Sequence, residues 1–157
     1  MQSSTAVPRR SPFHRGPRRQ RRGVQIEPTK PVVTAEPAIV LIADDDESTR
    51  IVLQRALTKD GYIAIPVDDG GEIWPILDRE NVVALVLDLK MPGVNGWEVL
   101  RRLREDFRYR GRRIRVNVVS GQADRESREF ALRLGADQFF AKPFDLELVR
   151  RALLPNP

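Results

Sequence analysis

The chain alternates between short apolar runs rich in β-branched residues and stretches with helical periodicity, and this alternation limits the fold more than any other feature. The runs predict five strands, at residues 39–43, 62–67, 82–87, 114–119 and 138–141. Strands that alternate with helices pair in parallel, because each crossover helix returns the chain to the same end of the sheet. The sequence therefore predicts an α/β domain with a doubly wound, five-stranded parallel sheet and helices on both faces.

Apolar residues at helical spacing mark the helices between the strands. Four stripes are visible: Val52, Leu53, Ala56 and Leu57; Leu100, Leu103 and Phe107; Phe130, Ala131 and Leu134; and Leu148, Val149, Ala152 and Leu153. The second helix, near residues 69–80, has the weakest pattern because Pro75 interrupts it. Gly61 and Gly135 follow helical stretches directly, so we expect both to adopt the left-handed conformation that ends a helix.

The composition fits one folded domain without disulfides. A length of 157 residues with 41% hydrophobic residues is enough for a single packed core. There is no cysteine, which excludes disulfides, thiol nucleophiles and zinc–thiolate sites and leaves the cytoplasm as the default compartment. No apolar stretch approaches the roughly 20 residues that a membrane-spanning helix needs. We therefore expect a soluble protein.

The net charge of +5 is concentrated at the start of the chain. Residues 1–37 contain eight Lys or Arg and two Glu, whereas the remainder contains 19 basic and 20 acidic residues. This first segment is rich in Pro, Arg and Ser and cannot bury enough apolar surface to offset the entropy of ordering. We expect a disordered basic tail at 1–37, a folded domain at 38–154 and a short end at 155–157.

Charged or hydroxyl residues directly follow four of the predicted strands. An acidic triplet at 44–46 follows the first strand, Asp88 the third, Ser120 the fourth and Lys142 the fifth. In open parallel sheets, ligands bind beyond the carboxyl ends of the strands. We therefore expect these side chains to meet at one edge of the sheet.

These residue types support phosphoryl chemistry. Crowded carboxylates need a neutralising charge, and adjacent strands would bring Asp45 and Asp88 within reach of one Mg2+. Attack on phosphorus by a carboxylate oxygen, best supplied by Asp88, gives an aspartyl phosphate. Lys142 would pair with one phosphate oxygen, and the Ser120 hydroxyl would donate a hydrogen bond to another.

Each of these residues also has a purely structural explanation. Acidic residues after a strand often cap the next helix, and both Asp46 and Ser48 could do so. Ser120 with the following glycine fits a turn, and Lys142 with the following proline fits an ordinary loop. It is the combination of the four features that favours a functional site.

Four segments together resemble one family. They are Ala-Asp-Asp-Asp-Glu at 43–47, Val-Leu-Asp-Leu-Lys-Met-Pro-Gly-Val-Asn-Gly at 86–96, Val-Val-Ser-Gly at 118–121 and Gly-Ala-Asp-Gln-Phe-Phe-Ala-Lys-Pro-Phe at 135–144. In this order, they resemble a response regulator receiver domain of two-component systems, of the stand-alone chemotaxis type, over residues 38–154. The resemblance implies a flavodoxin-like fold with strand order 2-1-3-4-5.

The resemblance also implies a role for each site residue. Asp88 would accept a phosphoryl group from the phosphohistidine of a histidine kinase or histidine phosphotransfer protein. Mg2+ would be held by Asp45, the Asp88 carboxylate and the backbone carbonyl of Lys90, with Asp44 acting through a water. Lys142 and Ser120 would assist as described above. The protein would then be a phosphoacceptor that catalyses its own phosphorylation and dephosphorylation, not an enzyme with a separate substrate.

Two further features follow from the resemblance. Pro92 and Gly96 would shape a rigid loop beside the phosphorylation site, since Pro fixes φ and Gly permits a turn. Ser120 would move toward the phosphate, and an aromatic ring on the fifth strand would turn inward. That ring is Phe139, which has no hydroxyl, so such a switch would rest on packing alone. The alternative is that Phe139 is simply a core residue.

Little sequence follows the predicted domain, which predicts a single-domain receiver. Such a protein would relay phosphate or bind an unidentified protein target when phosphorylated. Whether it forms a homodimer through the last helices stays open.

Two other functions remain open. The tail and the eight arginines between residues 101 and 115, with Tyr109 among them, would suit an electrostatic adaptor for nucleic acid or another polyanion. Separately, the spacing of Asp44 and Asp46 matches phosphatases that use an aspartate nucleophile. That interpretation leaves the segment 88–96 unexplained.

Overall fold

The computed structural model of the protein describes residues 36–153. The predictions made for residues 1–35 and 154–157, which include most of the basic tail, lie outside the described residues.

Five strands alternate with five α-helices in this range. The strands are β1 (Ile39–Ala43), β2 (Ile63–Val67), β3 (Val82–Leu87), β4 (Arg115–Ser120) and β5 (Gln138–Ala141). The helices are α1 (Glu47–Lys59), α2 (Ile73–Arg79), α3 (Gly96–Glu105), α4 (Arg125–Arg133) and α5 (Leu146–Leu153), and a 3-10 turn at Gly70–Glu72 precedes α2. Only β2 and β4 differ from the predicted strand limits: β2 begins one residue later than predicted, and β4 both begins and ends one residue later.

All strand pairs are parallel, and the sheet order is β2-β1-β3-β4-β5. The predicted doubly wound α/β fold with strand order 2-1-3-4-5 is confirmed. In this order β1 and β3 are neighbours at the centre of the sheet, although a whole βα unit separates them in sequence.

Side chains alternate along the strands between two core layers, as the period of a β-strand requires. One layer packs α2, α3 and α4 against the sheet and contains Leu41, Leu85 and Val118. The other packs α1 and α5 against the opposite face and contains Ile42 and Val86. Both faces of the sheet are covered, which explains why the strands read as continuous apolar runs.

Each predicted helix stripe is only partly buried. Leu53, Leu57, Leu100, Leu103, Ala131, Val149 and Leu153 are buried, whereas Val52, Phe107, Phe130 and Leu148 are exposed. Val52 and Leu148 each precede a buried residue by one position, and the rotation of about 100° per residue turns them away from the sheet. Phe107 lies beyond the end of α3, so helical spacing no longer governs its direction.

Pro75 does not interrupt the second helix, because α2 begins only at Ile73. Pro75 therefore lies in the first turn, where a backbone N–H has no partner within the helix and its loss is tolerated. Gly61 and Gly135 have φ of 90° and 103°. Both expected left-handed helix ends are confirmed.

The longest helix in the described range has 13 residues, and no helix there could cross a membrane.

A buried amide side chain on β4 is unpaired within the part of the chain that the structure describes. Asn117 on β4 is fully buried, and within residues 36–153 neither its amide nitrogen nor its amide oxygen has a hydrogen-bond partner. Its strand neighbours are Val86 on β3 and Gln138 on β5. Alternation along β4 puts Asn117 on the face that also carries Val119, which packs with α1 and α5.

We predict that Asn117→Val raises the free energy of unfolding by about 1–3 kcal/mol, because a buried unpaired amide carries an uncompensated desolvation penalty. Urea denaturation measures the change. The matched control is Gln138→Val on the exposed neighbouring position, which makes a similar gain in β-propensity and should shift stability by no more than about 0.5 kcal/mol. Destabilisation by Asn117→Val would contradict the prediction.

Candidate functional site

The backbone ladder continues one residue beyond several strands and sets the positions of the site residues. The Asp44 N–H donates to the Val67 carbonyl at 3.2 Å, and the Asp88 N–H donates to the Ala43 carbonyl at 2.8 Å. Asp44 and Asp88 therefore follow adjacent strands at the same level.

The same extension occurs on the other side of the site. The Lys142 N–H donates to the Ser120 carbonyl at 2.9 Å, one residue past the end of β5. The four predicted features thus reach one edge of the sheet, at the carboxyl ends of β1, β3, β4 and β5.

Lys142 joins two buried carboxylates. Its Nζ lies 2.8 Å from Asp44 Oδ2 and 2.9 Å from Asp88 Oδ2. Asp44 and Asp88 are 2% and 4% exposed, so two buried carboxylates share one partly exposed ammonium. With both carboxylates ionised, the buried cluster carries one surplus negative charge.

Burial and hydrogen bonds shift the pKa values of two groups in this cluster, Asp44 and Lys142. Burial raises the pKa of Asp44, and the hydrogen bonds from Lys142 and from the Asp46 N–H offset only part of the rise. Burial alone would lower the pKa of Lys142, but hydrogen bonds to Asp44 and Asp88 outweigh it, so the pKa of Lys142 is raised. The ammonium is therefore firmly charged at neutral pH.

The carboxylates are also arranged to accept a divalent cation. Asp44, Asp45 and Asp88 each present an oxygen, and these three oxygens lie within 4.8 Å of one another. Hard oxygen donors suit Mg2+, and the surplus negative charge gives a cation an electrostatic reason to bind. Asp45 is exposed, so the cluster is open to solvent on one side. The residues present therefore fit the predicted Mg2+.

A cleft of about 820 Å³ opens above these residues. Asp45, Asp88, Lys90 and Lys142 line it, together with Trp97 from α3. The Lys90 N–H donates to Asp88 Oδ1 at 3.1 Å, which fixes the carboxylate oxygen that Lys142 does not hold. Asp88 is thus oriented through both of its oxygens.

The other two predicted residues, Ser120 and Phe139, are buried and do not line this cleft. Ser120 is fully buried, and its Oγ accepts a hydrogen bond from the Gln122 N–H at 3.1 Å. Phe139 is buried in the core layer that faces α2 to α4. The Arg128 guanidinium lies 4.9 Å from its ring centre, and Arg128 Nη1 donates to the Phe139 carbonyl at 3.1 Å.

Asp46 has a structural role, as its position suggested. Its carboxylate accepts hydrogen bonds from the N–H groups of Ser48 and Thr49, each at 3.2 Å, and caps α1. Asp44 Oδ1 in turn accepts from the Asp46 N–H at 2.9 Å. Asp44 and Asp46 therefore do not form the two-carboxylate pair that the phosphatase interpretation needs.

Sequence reasoning missed a group that braces the loop after β3. Asp69 Oδ1 accepts from the Gly71 N–H at 2.6 Å and from the Val94 N–H at 3.4 Å, while the Gly70 N–H donates to the Val94 carbonyl at 3.1 Å. A Cβ on Gly70 would lie 2.3 Å from that carbonyl oxygen. The only sequence signal was an acidic residue followed by two glycines after β2.

Gly96 is needed for close approach and not for a left-handed turn. A Cβ there would lie 2.2 Å from the Asp88 carbonyl oxygen and 2.7 Å from the Leu89 Cα. The left-handed residue of this loop is Gly93, with φ of 66°. The start of α3 therefore packs directly against the backbone that carries Asp88.

Comparison with known proteins places these features in one family. The sequence model of the response regulator receiver domain matches residues 40–154. The chain is similar to the transcriptional activator protein IrlR of Burkholderia pseudomallei, with 37% identity over 113 residues that cover 71% of this chain and 47% of that protein. It thus spans about half the length of several curated relatives that it matches.

Two further similarities extend the comparison. Sporulation initiation phosphotransferase F of Bacillus subtilis is 32% identical over 114 residues, which cover 73% of this chain and 89% of that protein. The crystal structure of a response regulator protein from Burkholderia pseudomallei with a phosphorylated aspartic acid, calcium ion and citrate aligns with a TM-score of 0.66 at 25% identity. The alignment covers 76% of this chain and 68% of that chain.

We predict that two glycine substitutions beside the cleft differ in their effect on stability. Gly96→Ala should lower the free energy of unfolding by about 1–3 kcal/mol, because the new Cβ meets backbone atoms that can move only with Asp88. Gly121→Ala is the control, since a Cβ there meets nothing within 4 Å. Urea denaturation compares them, and equal losses would refute the steric argument.

We also predict that removing the positive charge and removing one negative charge of the cluster change the free energy of unfolding in opposite directions. Lys142→Met should lower the free energy of unfolding at pH 7 by about 2 kcal/mol, less than for a fully buried pair because Lys142 keeps partial contact with water. Asp44→Asn should raise it by about 1 kcal/mol, since the remaining ammonium and carboxylate then balance.

The effect of Asp44→Asn should depend on pH in a defined direction. The pKa of Asp44 is raised in the folded state, so its ionisation reduces stability as the pH rises from the unfolded pKa through the folded pKa. The gain from Asp44→Asn should therefore be present at neutral pH and disappear below the unfolded pKa. Thermal unfolding across this pH range measures it, and a gain that grew toward low pH would contradict the sign.

Proposed function

The chain belongs to the response regulator receiver domain family, and on this premise we propose that Asp88 accepts a phosphoryl group from a phosphohistidine in a Mg2+-dependent reaction. Receiver domains of response regulators are phosphorylated on an aspartate. The observation that carries the proposal is the orientation of Asp88, whose two oxygens are held by the Lys142 ammonium and the Lys90 N–H on the wall of an open cleft.

Asp88 suits the acceptor role better than its neighbours do. Asp44 is held on its Oδ1 by the Asp46 N–H and on its Oδ2 by Lys142, and it does not line the cleft. Asp45 lines the cleft but is exposed. Asp88 alone among the three is both buried and part of the cleft wall.

The proposed step needs little acid or base catalysis. A carboxylate oxygen of Asp88 forms a bond to phosphorus as the bond to the donor's imidazole nitrogen breaks, and that nitrogen keeps the electron pair. Lys142, already 2.9 Å from Asp88 Oδ2, can transfer its contact to an oxygen of the incoming phosphoryl group. Because the pKa of Lys142 is raised, it remains a cation throughout.

Mg2+ bound by Asp45, Asp88 and the Lys90 carbonyl, with Asp44 acting through a water, would reduce the repulsion between the carboxylates and the phosphoryl group. The oxygen-only donor set and its surplus negative charge support this assignment.

For the response to phosphorylation, we propose that the Ser120 hydroxyl donates to a phosphoryl oxygen. Its Oγ accepts from the Gln122 N–H, so its own hydrogen remains available for that bond. The Phe139 ring is already packed in the core and is covered by Arg128. This favours the core explanation for Phe139 over a large inward turn of the ring.

Receiver domains interact with histidine kinases or phosphotransfer proteins, and we propose such a donor in the cytoplasm for this chain. The similarity to a phosphotransferase over 89% of that protein supports a relay or phosphorylation-dependent binding to a protein target. The similarity to part of a transcriptional activator is equally compatible with an effector domain in a longer protein.

The acceptor assignment can be tested with acetyl phosphate and Mg2+. We expect the parent protein to be labelled, the label to be lost with Asp88→Asn, and labelling to stop when a chelator removes the metal. Asp46→Asn is the matched control, because Asp46 belongs to the acidic triplet at 44–46 but caps α1 and lies outside the cleft. Undiminished labelling of Asp88→Asn would overturn the assignment. Hydrolysis of a phosphate ester that depends on Asp44 but not on Asp88 would favour a phosphatase.

A further inference from the structure

The eight arginines between residues 101 and 115 are not equally available to a partner. Six of them contact other groups of the domain: Arg101 pairs with Glu105; Arg102 packs on Trp74; Arg104 donates to the Gly135 carbonyl; Arg108 pairs with Asp106; Arg112 donates to the Leu77 and Glu80 carbonyls; and Arg115 donates to the Ala152 carbonyl. Most of these arginines therefore form contacts within the domain and stabilise α3 and the segment between α3 and β4.

Arg110 and Arg113 are different. Both are exposed, and neither has a side-chain partner within residues 36–153. They lie on one groove of about 710 Å³ with the bonded arginines Arg104, Arg112 and Arg115. We name this surface the arginine groove, and it is defined by these five residues.

The arginine groove has a strong local surplus of positive charge. Its other wall is the turn between α4 and β5, whose Asp137 is the one acidic residue that lines it. Asp137 already accepts from the Val116 N–H at 2.7 Å and lies 3.7 Å from Arg104. Residues 36–153 as a whole contain 19 basic and 21 acidic residues, so the surplus belongs to this surface and not to the domain.

The groove also lies away from the phosphorylation site. Its loop leads into the amino end of β4, whereas Asp88 and Ser120 lie at the carboxyl ends of the strands. Among residues 36–153, none lines both this groove and the Asp88 cleft. A ligand in the groove would leave the cleft open.

We propose that the arginine groove binds the sugar-phosphate backbone of duplex DNA, with Arg110 and Arg113 contacting phosphates. A guanidinium matches phosphate geometry through two parallel hydrogen bonds, and two unpaired ones on an open groove offer that contact directly. The bonded arginines add positive potential behind them. This proposal does not depend on phosphorylation of Asp88.

The lining favours a nucleic acid over an acidic protein. Protein interfaces gain affinity from a buried apolar or aromatic anchor, and the groove offers only Ile114, which is itself buried, and small residues. Tyr109, the aromatic residue within the run, is buried, and its hydroxyl donates to Asp78 at 2.7 Å. With no aromatic residue in the groove to stack on bases, binding should follow the phosphate backbone and show no base preference.

The test is the salt dependence of binding of the full chain to a fluorescent duplex, measured by anisotropy. Each phosphate contact contributes about 0.9 to the slope of log K against log salt, so Arg110→Gln with Arg113→Gln should reduce the slope by about 1.8. The control double variant is Arg55→Gln with Arg125→Gln. It removes two exposed arginines outside the groove and changes the net charge equally, so its slope should stay near that of the parent.

Several outcomes would overturn the proposal. An equal loss of slope in both double variants would mean attraction by net charge alone, and an unchanged slope in the groove variant would place binding elsewhere. Competition by polyglutamate as strong as by unlabelled duplex would indicate an acidic protein partner. Urea denaturation of each variant shows whether the domain is folded, and this check does not depend on the Asp88 assignment.

Discussion

The functional edge of this protein depends on an imbalance of buried charge. Asp44 and Asp88 are both buried, and one ammonium, that of Lys142, lies between them. Lys142 cannot neutralise both carboxylates, so the folded domain keeps a surplus negative charge next to an open cleft. That surplus explains the raised pKa of Lys142 and the fit of the site to a divalent cation.

The parallel sheet positions the residues of this cluster through its backbone hydrogen bonds. Its ladder runs one residue past β1 and β3, so the positions of Asp44 and Asp88 follow from backbone hydrogen bonds. The loop after β3 is then fixed twice, by the Asp69 brace at Val94 and by the close approach of Gly96 to the Asp88 backbone. Backbone contacts therefore determine the positions of the residues that carry the cluster.

Sequence patterns predicted the strands well and the faces of the helices less well. A buried parallel strand is apolar on both faces, so 39–43 and 82–87 could be delimited from composition alone. A helix stripe gives an approximate direction only, and residues at its edge, such as Val52, or past the helix end, such as Phe107, turned out to be exposed. The arginines between residues 101 and 115 show a similar limit of sequence patterns. Their charge is visible in the sequence, but the sequence does not reveal which guanidinium groups form contacts within the domain.

The sequence by itself determined the order of the elements, the residue types at the strand ends and the family, because these depend on local periodicity and on short motifs. Only the tertiary structure decided which of those residues form ion pairs and hydrogen bonds with one another. Asp46 turned to cap α1 while Asp44 turned inward to Lys142, although the two are separated by a single residue. Likewise, Arg110 and Arg113 have no side-chain partner among residues 36–153, although neighbouring arginines form contacts there. Pairing is a property of distances between elements remote in sequence, and those distances exist only once the sheet has formed.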